Sequence, residues 1–489
     1  MIDPGFPYLS AILLAPVLGL LIILLLPHQN QRAVRWVSLA SAGVCLVLSV
    51  FIYAAYDQPA GGLQFVERVP WVRSLGIFYY LGVDGINLPM VLLTSIVFFT
   101  GVWTMWDLTR RVKEFFALML LMVAGVYGVF MSLDLIFLFV WYDVSLFPMY
   151  PLIAIWGSTR KEYGALKLTL YLLAGSALVL PGILYVYFKS GLHTFDLVMI
   201  AQAGLAPDVQ YLGFFLFLFG FGVLAGMWPF HTWSPVGHVA APTAVSMIHA
   251  GVMMKLGAYG VLRVGMSLCP QGLMDWSPLF ALLATVGIVY GAFVGLAQTD
   301  LKYVIGYSSV SHMGLVSLGL ATGSLGGVSG AVFQMFAHGV MTALFFSTVG
   351  HIYDRTHTKL VPELGGMAKL MPRASFFFIL AALAGIGVPC LASFWAELLV
   401  FVNGVQRYPV LGVLAVLGLV ISALFMLRVV QKTFYGEKNQ RYAGAPDMSG
   451  VMVLPRAMLA GTILLFGLLP RLALDLINTG VLPLVGTFK

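Results

Sequence analysis

Charge is scarce in this chain. Lys, Arg, Asp and Glu together make up 9% of its 489 residues, against about 25% in an ordinary soluble domain. That deficit excludes a soluble globular protein. Cysteine is nearly absent: Cys45, Cys269 and Cys390 stand far apart in apolar segments, with no CxxC pair. The spacing excludes a disulfide framework and argues against a zinc site or an iron–sulfur cluster, so the three cysteines read as packing residues. Glycine-rich phosphate loops in a strand–helix context are also missing, which leaves no nucleotide site. Nor is there room for a large soluble domain, because the longest gap between apolar runs, 55–85, holds no more than a surface hairpin or a short loop.

What fills the chain is apolar sequence, 60% of it hydrophobic. A bilayer's hydrocarbon is about 30 Å thick, so a crossing helix needs about 20 apolar residues, and about 14 such stretches recur from end to end. The start, MIDPGFPYLSAILLAPVLGLLIILLLP, lacks the basic segment and cleavage site of a signal peptide and is expected to stay as the first span. Lys and Arg concentrate in loops after odd-numbered spans, which hold roughly 16 of them against about 5 after even-numbered ones. Arg110, Arg111, Lys113, Arg160, Lys161, Arg355 and Lys359 are examples. This asymmetry puts the odd loops in the cytoplasm and both termini on the non-cytoplasmic side. The net charge of +7 is therefore a matter of topology, and nothing points to nucleic acid.

Ionisable groups inside the spans carry the functional information, since each costs roughly 2.5–3.5 kcal/mol at the bilayer centre even on mild insertion scales. They run from Asp134 and Asp143, through Lys167, His231, His238, His249, Lys255, Asp300, Lys302, His312 and His338, to Glu397, Arg428 and Lys432. A relay needs groups spread over many helices, as these are; a single binding pocket would concentrate them. Helix interruptions lie beside several: GMWP before His231, Pro148 after Asp143, and GIGVPCLAS before Glu397. Proline removes a backbone donor and opens the ladder, and broken helices in corresponding positions of two halves mark an ion path. Near a membrane boundary, His231 and His238 read as structural. Asp84, Asp134, Asp300 and Lys302 fall near span ends, where capping and interfacial anchoring account for them.

Four stretches, WPFHTWSPVGHVAAPTAVS with AGVMMKLGAYGVLR, QTDLKYVIGYSSVSHMG, YLGVDGINLP and GHIYDRTHTKLVPELGGMAKLMP, resemble the antiporter-like subunits of proton-pumping NADH:quinone oxidoreductase, respiratory complex I, and subunit M best of all. The resemblance covers nearly the whole chain. It implies an all-α polytopic membrane protein of about 14 transmembrane helices, with two inverted five-helix repeats (helices 4–8 and 9–13) and breaks in helices 7 and 12. The implied divisions are 1–113 for the first three helices, 114–267 and 278–435 for the two repeats, and 436–489 for a loop and helix 14.

By the same resemblance Lys255 is the central helix-8 lysine, Glu397 the helix-12 carboxylate and Asp143 the stand-in for a helix-5 glutamate. His249 matches a helix-8 histidine of related antiporters, while His312 and His338 match positions in the second half. One departure matters: the family's helix-7 lysine is Leu224 here. Lys167 is then the expected substitute partner of Asp143. The implied function is proton translocation in the membrane arm, beside neighbouring antiporter-like subunits, in a bacterial inner membrane and with no cofactor in this chain. A subunit of a multisubunit cation/proton antiporter or membrane-bound hydrogenase, a solitary secondary transporter, and a structural subunit that no longer pumps are the alternatives. A relay has its own physical logic: desolvation disfavours the charged form of a buried group, and an opposite charge moved by a few ångströms restores it, which couples conformation to protonation.

Overall fold

The computed structural model describes residues 5–488 and is almost entirely helical. Twelve helices are long and apolar enough to cross a membrane, from Tyr8–Leu25 to Gly450–Leu468. The expected count of about 14 also drew on Leu88–Thr104 and on the segment around Pro389, which is broken into Pro372–Gly385 and Ala392–Arg407. Neither provides one continuous helix of spanning length.

Burial sorts the helices into an inner and an outer set. Thr243–Met266 and Leu325–Thr356 are wholly buried across their apolar stretch and Leu301–Ala321 nearly so, whereas Tyr8–Leu25 and Pro409–Phe434 bury only a third. The outer helices turn Leu and Val outward, including Leu18, Val413 and Leu417, as a lipid-facing wall requires. Lys113 reaches along that wall and donates to the carbonyls of Leu24 and Leu26, at 2.9 and 2.6 Å, so its charge closes the end of another helix.

The chain is not purely α-helical. Gln64–Val72 and Ile77–Val83 pair as an antiparallel hairpin, turned at Gly76, whose φ of +66° suits glycine. The sequence expectation of a surface hairpin or short loop thus resolves to a hairpin. Bridges from Leu81 to Ser132 and from Asp134 to Asp196 stitch it to the loops on its side. Asp134 accepts from the amides of Phe78, Ile136 and Phe137 at 2.9–3.0 Å. Burial pushes its carboxyl up to about 6, against those amides, which favour the ionised form.

The same devices recur on the opposite side. Asp300 caps Leu301–Ala321 as Asp134 caps Leu135–Leu146, and Asp300 bridges to Leu360. The offset is 300 − 134 = 166 residues. Each broken helix ends its first half on a glycine-permitted turn, Gly226 and Gly387, both with φ of +71°; here the offset is 387 − 226 = 161. A tryptophan follows each break, with a different kind of acceptor: Trp233 donates to Val223, in the last turn before the first break, at 2.9 Å, and Trp395 to Gly467, near the end of the neighbouring helix Gly450–Leu468, at 2.8 Å.

Two readings of the C-terminal region and the cysteines need correction. Residues 436–489 hold two helices, Gly450–Leu468 and Arg471–Val485. The second buries a single face, Ala473, Leu476, Ile477 and Val481, packs chiefly against Leu325–Thr356 and brings Thr479 and Gly480 against the loop at Gly85 and Ile86, a one-sided pattern that does not register as a span. Cys45 and Cys269 are buried as packing residues, but Cys390 is exposed, with φ of +73° in the break before Ala392; an apolar context in sequence gave no sign of the turn that lifts it out.

Candidate functional site

The helix Thr243–Met266 departs from α geometry where its ionisable residues lie. Its turns at His249–Met253 and Val261–Met266 are π-helical, a widening that often marks functional sites. Lys255 follows the first of them, fully buried. Its ammonium donates to the carbonyl of Ala250, five residues back, and lies 2.7 Å from His338 Nδ1 on the neighbouring helix. A charged Lys255 donates to that nitrogen; a neutral one accepts from it. Moving one proton across the contact interconverts the two arrangements, which is the behaviour a transfer step needs.

His338 stacks on His312, with ring centroids 5.0 Å apart. His312 Nδ1 donates to the carbonyl of Ser308 at 2.8 Å, because a carbonyl can only accept. Its other nitrogen, Nε2, therefore faces Glu397 Oε1 at 3.5 Å. A neutral ring would present a lone pair there, and so would an ionised carboxylate. The 3.5 Å approach is longer than a hydrogen bond, and a proton on either partner would draw the two together. Glu397 is held close by the break: a side chain at Gly387 would run into its carboxylate, so glycine serves there both for its positive φ and for the space it leaves.

In the other direction His249 meets His238, ring centroids 4.5 Å apart. His238 Nε2 lies 3.0 Å from Ser234 Oγ. Both nitrogens of His249, Nδ1 of His238 and Nε2 of His338 meet no protein partner. Leaving such a buried group unpaired costs roughly 1–3 kcal/mol, so water is their natural partner. Four helices and the break segment Trp233–Ala240 thus bring together a line running His238, His249, Lys255, His338, His312, Glu397.

Asp143 and Lys167 lie apart from this line and from each other. Half-buried Asp143 accepts from Ser176 Oγ at 2.8 Å, and no ion pair joins it to Lys167 among the described residues. Lys167 shares a helix with Ser176 but lies nine residues away, or about 13 Å of helix rise. Its ammonium lies instead 5.8 and 6.0 Å from the rings of Tyr163 and Tyr171. The expected substitution of Lys167 for the helix-7 lysine is therefore not made in this structure, and Leu224 is fully buried in the core.

His238, set down as structural, belongs to the line of rings. It and His249 lie on either side of the Ala241–Pro242 joint, where no helical periodicity relates them. Arg263 was overlooked as well, though an arginine inside AYGVLRVGM stands out by the same rule that found Lys255. It is 8% exposed and binds Asp84 Oδ1 at 2.5 Å and the Tyr259 hydroxyl at 3.1 Å, tying the helix of Lys255 to the loop after the hairpin.

Residues 132–422 match the family described as NADH:quinone oxidoreductase/Mrp antiporter, transmembrane. The chain is 36% identical over 446 residues to NAD(P)H-quinone oxidoreductase chain 4 2 of Microcystis aeruginosa, covering 89% of this chain and 81% of that one. It is 34% identical over 484 residues to NADH-quinone oxidoreductase subunit M of Rickettsia conorii, covering 97% and 98%. Among solved structures, a chain of respiratory complex I from Thermus thermophilus with bound NADH superposes with a TM-score of 0.90 at 26% identity, over 98% of this chain and 100% of that one. A chain of the Mrp complex from Dietzia sp. shares the fold, with a TM-score of 0.87 at 21% identity over 99% of each. Motifs, fold and relatives agree: the chain belongs to the NADH:quinone oxidoreductase/Mrp antiporter family, among its subunit M and chain 4 members.

Proposed function

We propose that this chain is a proton-translocating membrane-arm subunit of an NADH:quinone oxidoreductase complex. The observation that carries the reading is the buried sequence Lys255, His338, His312, Glu397, in which Lys255 meets His338 at 2.7 Å, the two imidazoles stack 5.0 Å apart and His312 approaches Glu397 at 3.5 Å. His249 extends it, and Asp143 and Lys167 form a separate, unpaired first half. The mechanism is electrostatic. A charge arriving at one end changes the proton affinity of the next group, and that group's response biases the following one.

Quinone reduction happens elsewhere in the complex, and this chain carries no redox cofactor of its own. Its partners are the other membrane-arm subunits, neighbouring antiporter-like chains among them, in a bacterial inner membrane with both termini on the non-cytoplasmic side. The recurrence of the Asp caps and of the glycine turns at the breaks, at offsets of 300 − 134 = 166 and 387 − 226 = 161 residues, supports two inverted repeats, with Leu88–Thr104 and the broken Pro372–Arg407 segment completing fourteen spans. A second reading, a subunit of a multisubunit cation/proton antiporter, is favoured by the shared fold of the Mrp chain. The 34–36% identity to quinone oxidoreductase chains over nearly the full length favours the first.

Lys255→Met tests the proposal, since methionine fills the buried volume without a titratable group. In proteoliposomes holding the assembled complex, protons pumped per electron should fall and quinone reduction should slow with it, because coupling is reciprocal. Full pumping in this variant removes Lys255 from the path and with it the central step of the mechanism.

A further inference from the structure

The line of groups from His238 to Glu397 needs a mouth, and one feature outside that line has the chemistry for it. A cleft of about 480 Å³ opens at the end of the bundle that carries the basic loops. Asp107, Arg110, His351, Asp354, Arg355 and Arg456 line it. Arg456 is 3% exposed and already committed, donating to the carbonyls of Met452 and Ser347 at 2.6 Å. His351 is 4% exposed, its Nε2 without a protein partner. Two carboxylates weigh against an anion as the occupant. Two carboxylates and an unpaired imidazole, held among fixed guanidinium charges, are what collects and surrenders protons.

Two residues before Thr243 in the wall of this cleft, the Ala241 carbonyl accepts from Lys302, which is 4% exposed. It occupies the second position of Leu301–Ala321, where the helix dipole opposes a cation. No carboxylate lies within 4 Å of its ammonium among the described residues; the ammonium's hydrogen bond runs to the carbonyl of Ala241 at 2.8 Å, while the backbone N–H of Lys302 caps onto Asp300. A lysine kept for stability would be placed better. The charges that face it are Asp354 from the cleft, Asp300 and Lys359; His238 feels it from the inner side. Ser246 Oγ donates to the carbonyls of Ala241 and His238 at 3.2 and 3.0 Å, which ties the backbone that Lys302 binds to that of His238.

We infer that this cleft is the proton-collecting mouth of the path and that Lys302 carries protons from Asp354 to the His238–His249 pair. The inference rests on the proposed translocating function and adds the place where protons come in. A protonated Asp354 gives its proton to the neutral Lys302 amine and is restored as carboxylate. The ammonium passes the proton inward and is restored as amine, with no other reactant.

The experiment compares Lys302→Gln, Lys302→Arg, Asp354→Asn and Asp354→Glu with Lys255→Met, all in the assembled complex in proteoliposomes. Glutamine keeps a donor for the Ala241 carbonyl and arginine keeps the charge, so either would preserve a structural role; neither releases a proton at working pH. Both Lys302 variants and Asp354→Asn are expected to lose the same fraction of proton/electron ratio as Lys255→Met. Asp354→Glu should retain it, and the double variant Lys302→Gln/Asp354→Asn should be no worse than either single change. Asp354 faces the open cleft, so its variants remain informative if a change at Lys302 prevents assembly. Wild-type pumping in Asp354→Asn, or rescue by Lys302→Arg, with Lys255→Met still impaired, overturns the mouth and leaves the proposed function standing. Wild-type pumping in Lys255→Met overturns both.

Discussion

Shortening Glu397 by one methylene is the most quantitative probe of the shared proton. The carboxylate lies 3.5 Å from His312 Nε2, and aspartate withdraws it by about one carbon–carbon bond, roughly 1.5 Å. With an effective dielectric constant of about 20, attraction between an imidazolium and a carboxylate falls from about 4.7 kcal/mol at the present separation to about 3.3 kcal/mol at roughly 5 Å. The difference of about 1.4 kcal/mol is a tenfold change in how the pair partitions its proton. Glu397→Asp should therefore pump, but with slower turnover. Glu397→Gln removes the titratable oxygen altogether and should lose the contribution of this chain to the proton/electron ratio. The assay is proton uptake per electron in proteoliposomes, with assembly checked by native electrophoresis. Equal ratios for glutamate and glutamine would show that Glu397 holds the break together and carries no proton, and the shared-proton reasoning would fail.

Three further outcomes follow from the geometry. Gly387→Ala should impair pumping while every titratable group stays in place, because its φ of +71° costs a side chain about 1–2 kcal/mol and the new methyl displaces the Glu397 carboxylate; Gly444→Ala, with open space around it, is the control and should match wild type. Asp84→Asn leaves Arg263 buried without its counterion and should destabilise the subunit by about 3–5 kcal/mol, read as a lower thermal midpoint of the complex; if Asp84→Asn/Arg263→Met recovers none of that loss, the ion-pair explanation is wrong. Asp143→Asn and Lys167→Met should act additively within about 0.5 kcal/mol, since no contact joins them, and a non-additive double variant would show that the two meet in a working state.

Much of this molecule could be read before its structure was known, for reasons that differ from residue to residue. Lys255 and Glu397 stood out because a charge in an apolar run has few innocent explanations. Both breaks could be read from their prolines and glycines, and the caps at Asp134 and Asp300 from their position before apolar runs. Distances between helices could not be read at all: Lys167 and Asp143 invited a pairing, yet Asp143 binds Ser176, nine residues along the helix from Lys167. His238 and Lys302 were discounted for lying near span ends, yet the joint at Ala241–Pro242 folds those ends into the interior. The gap at 55–85 left a hairpin and a short loop both open, and only the pairing of Gln64–Val72 with Ile77–Val83 decides between them.

The indoles of Trp233 and Trp395 have a consequence for leakage. A membrane that stores energy as a gradient fails if any thread of water crosses it unbroken, and a bent helix with bare carbonyls invites such a thread. At the first break the Trp233 N–H caps the Val223 oxygen, and beside the second the Trp395 N–H caps the Gly467 oxygen of the neighbouring helix, so these two oxygens are withheld from such a thread. Water at that depth is left to the unpaired side chains, imidazole and carboxylate among them, whose appetite for it changes with each proton they gain or lose. Conduction and insulation are in this way assigned to different chemical groups, and a substitution that bares one carbonyl, such as Trp395→Phe, would short-circuit the gradient without touching a titratable side chain.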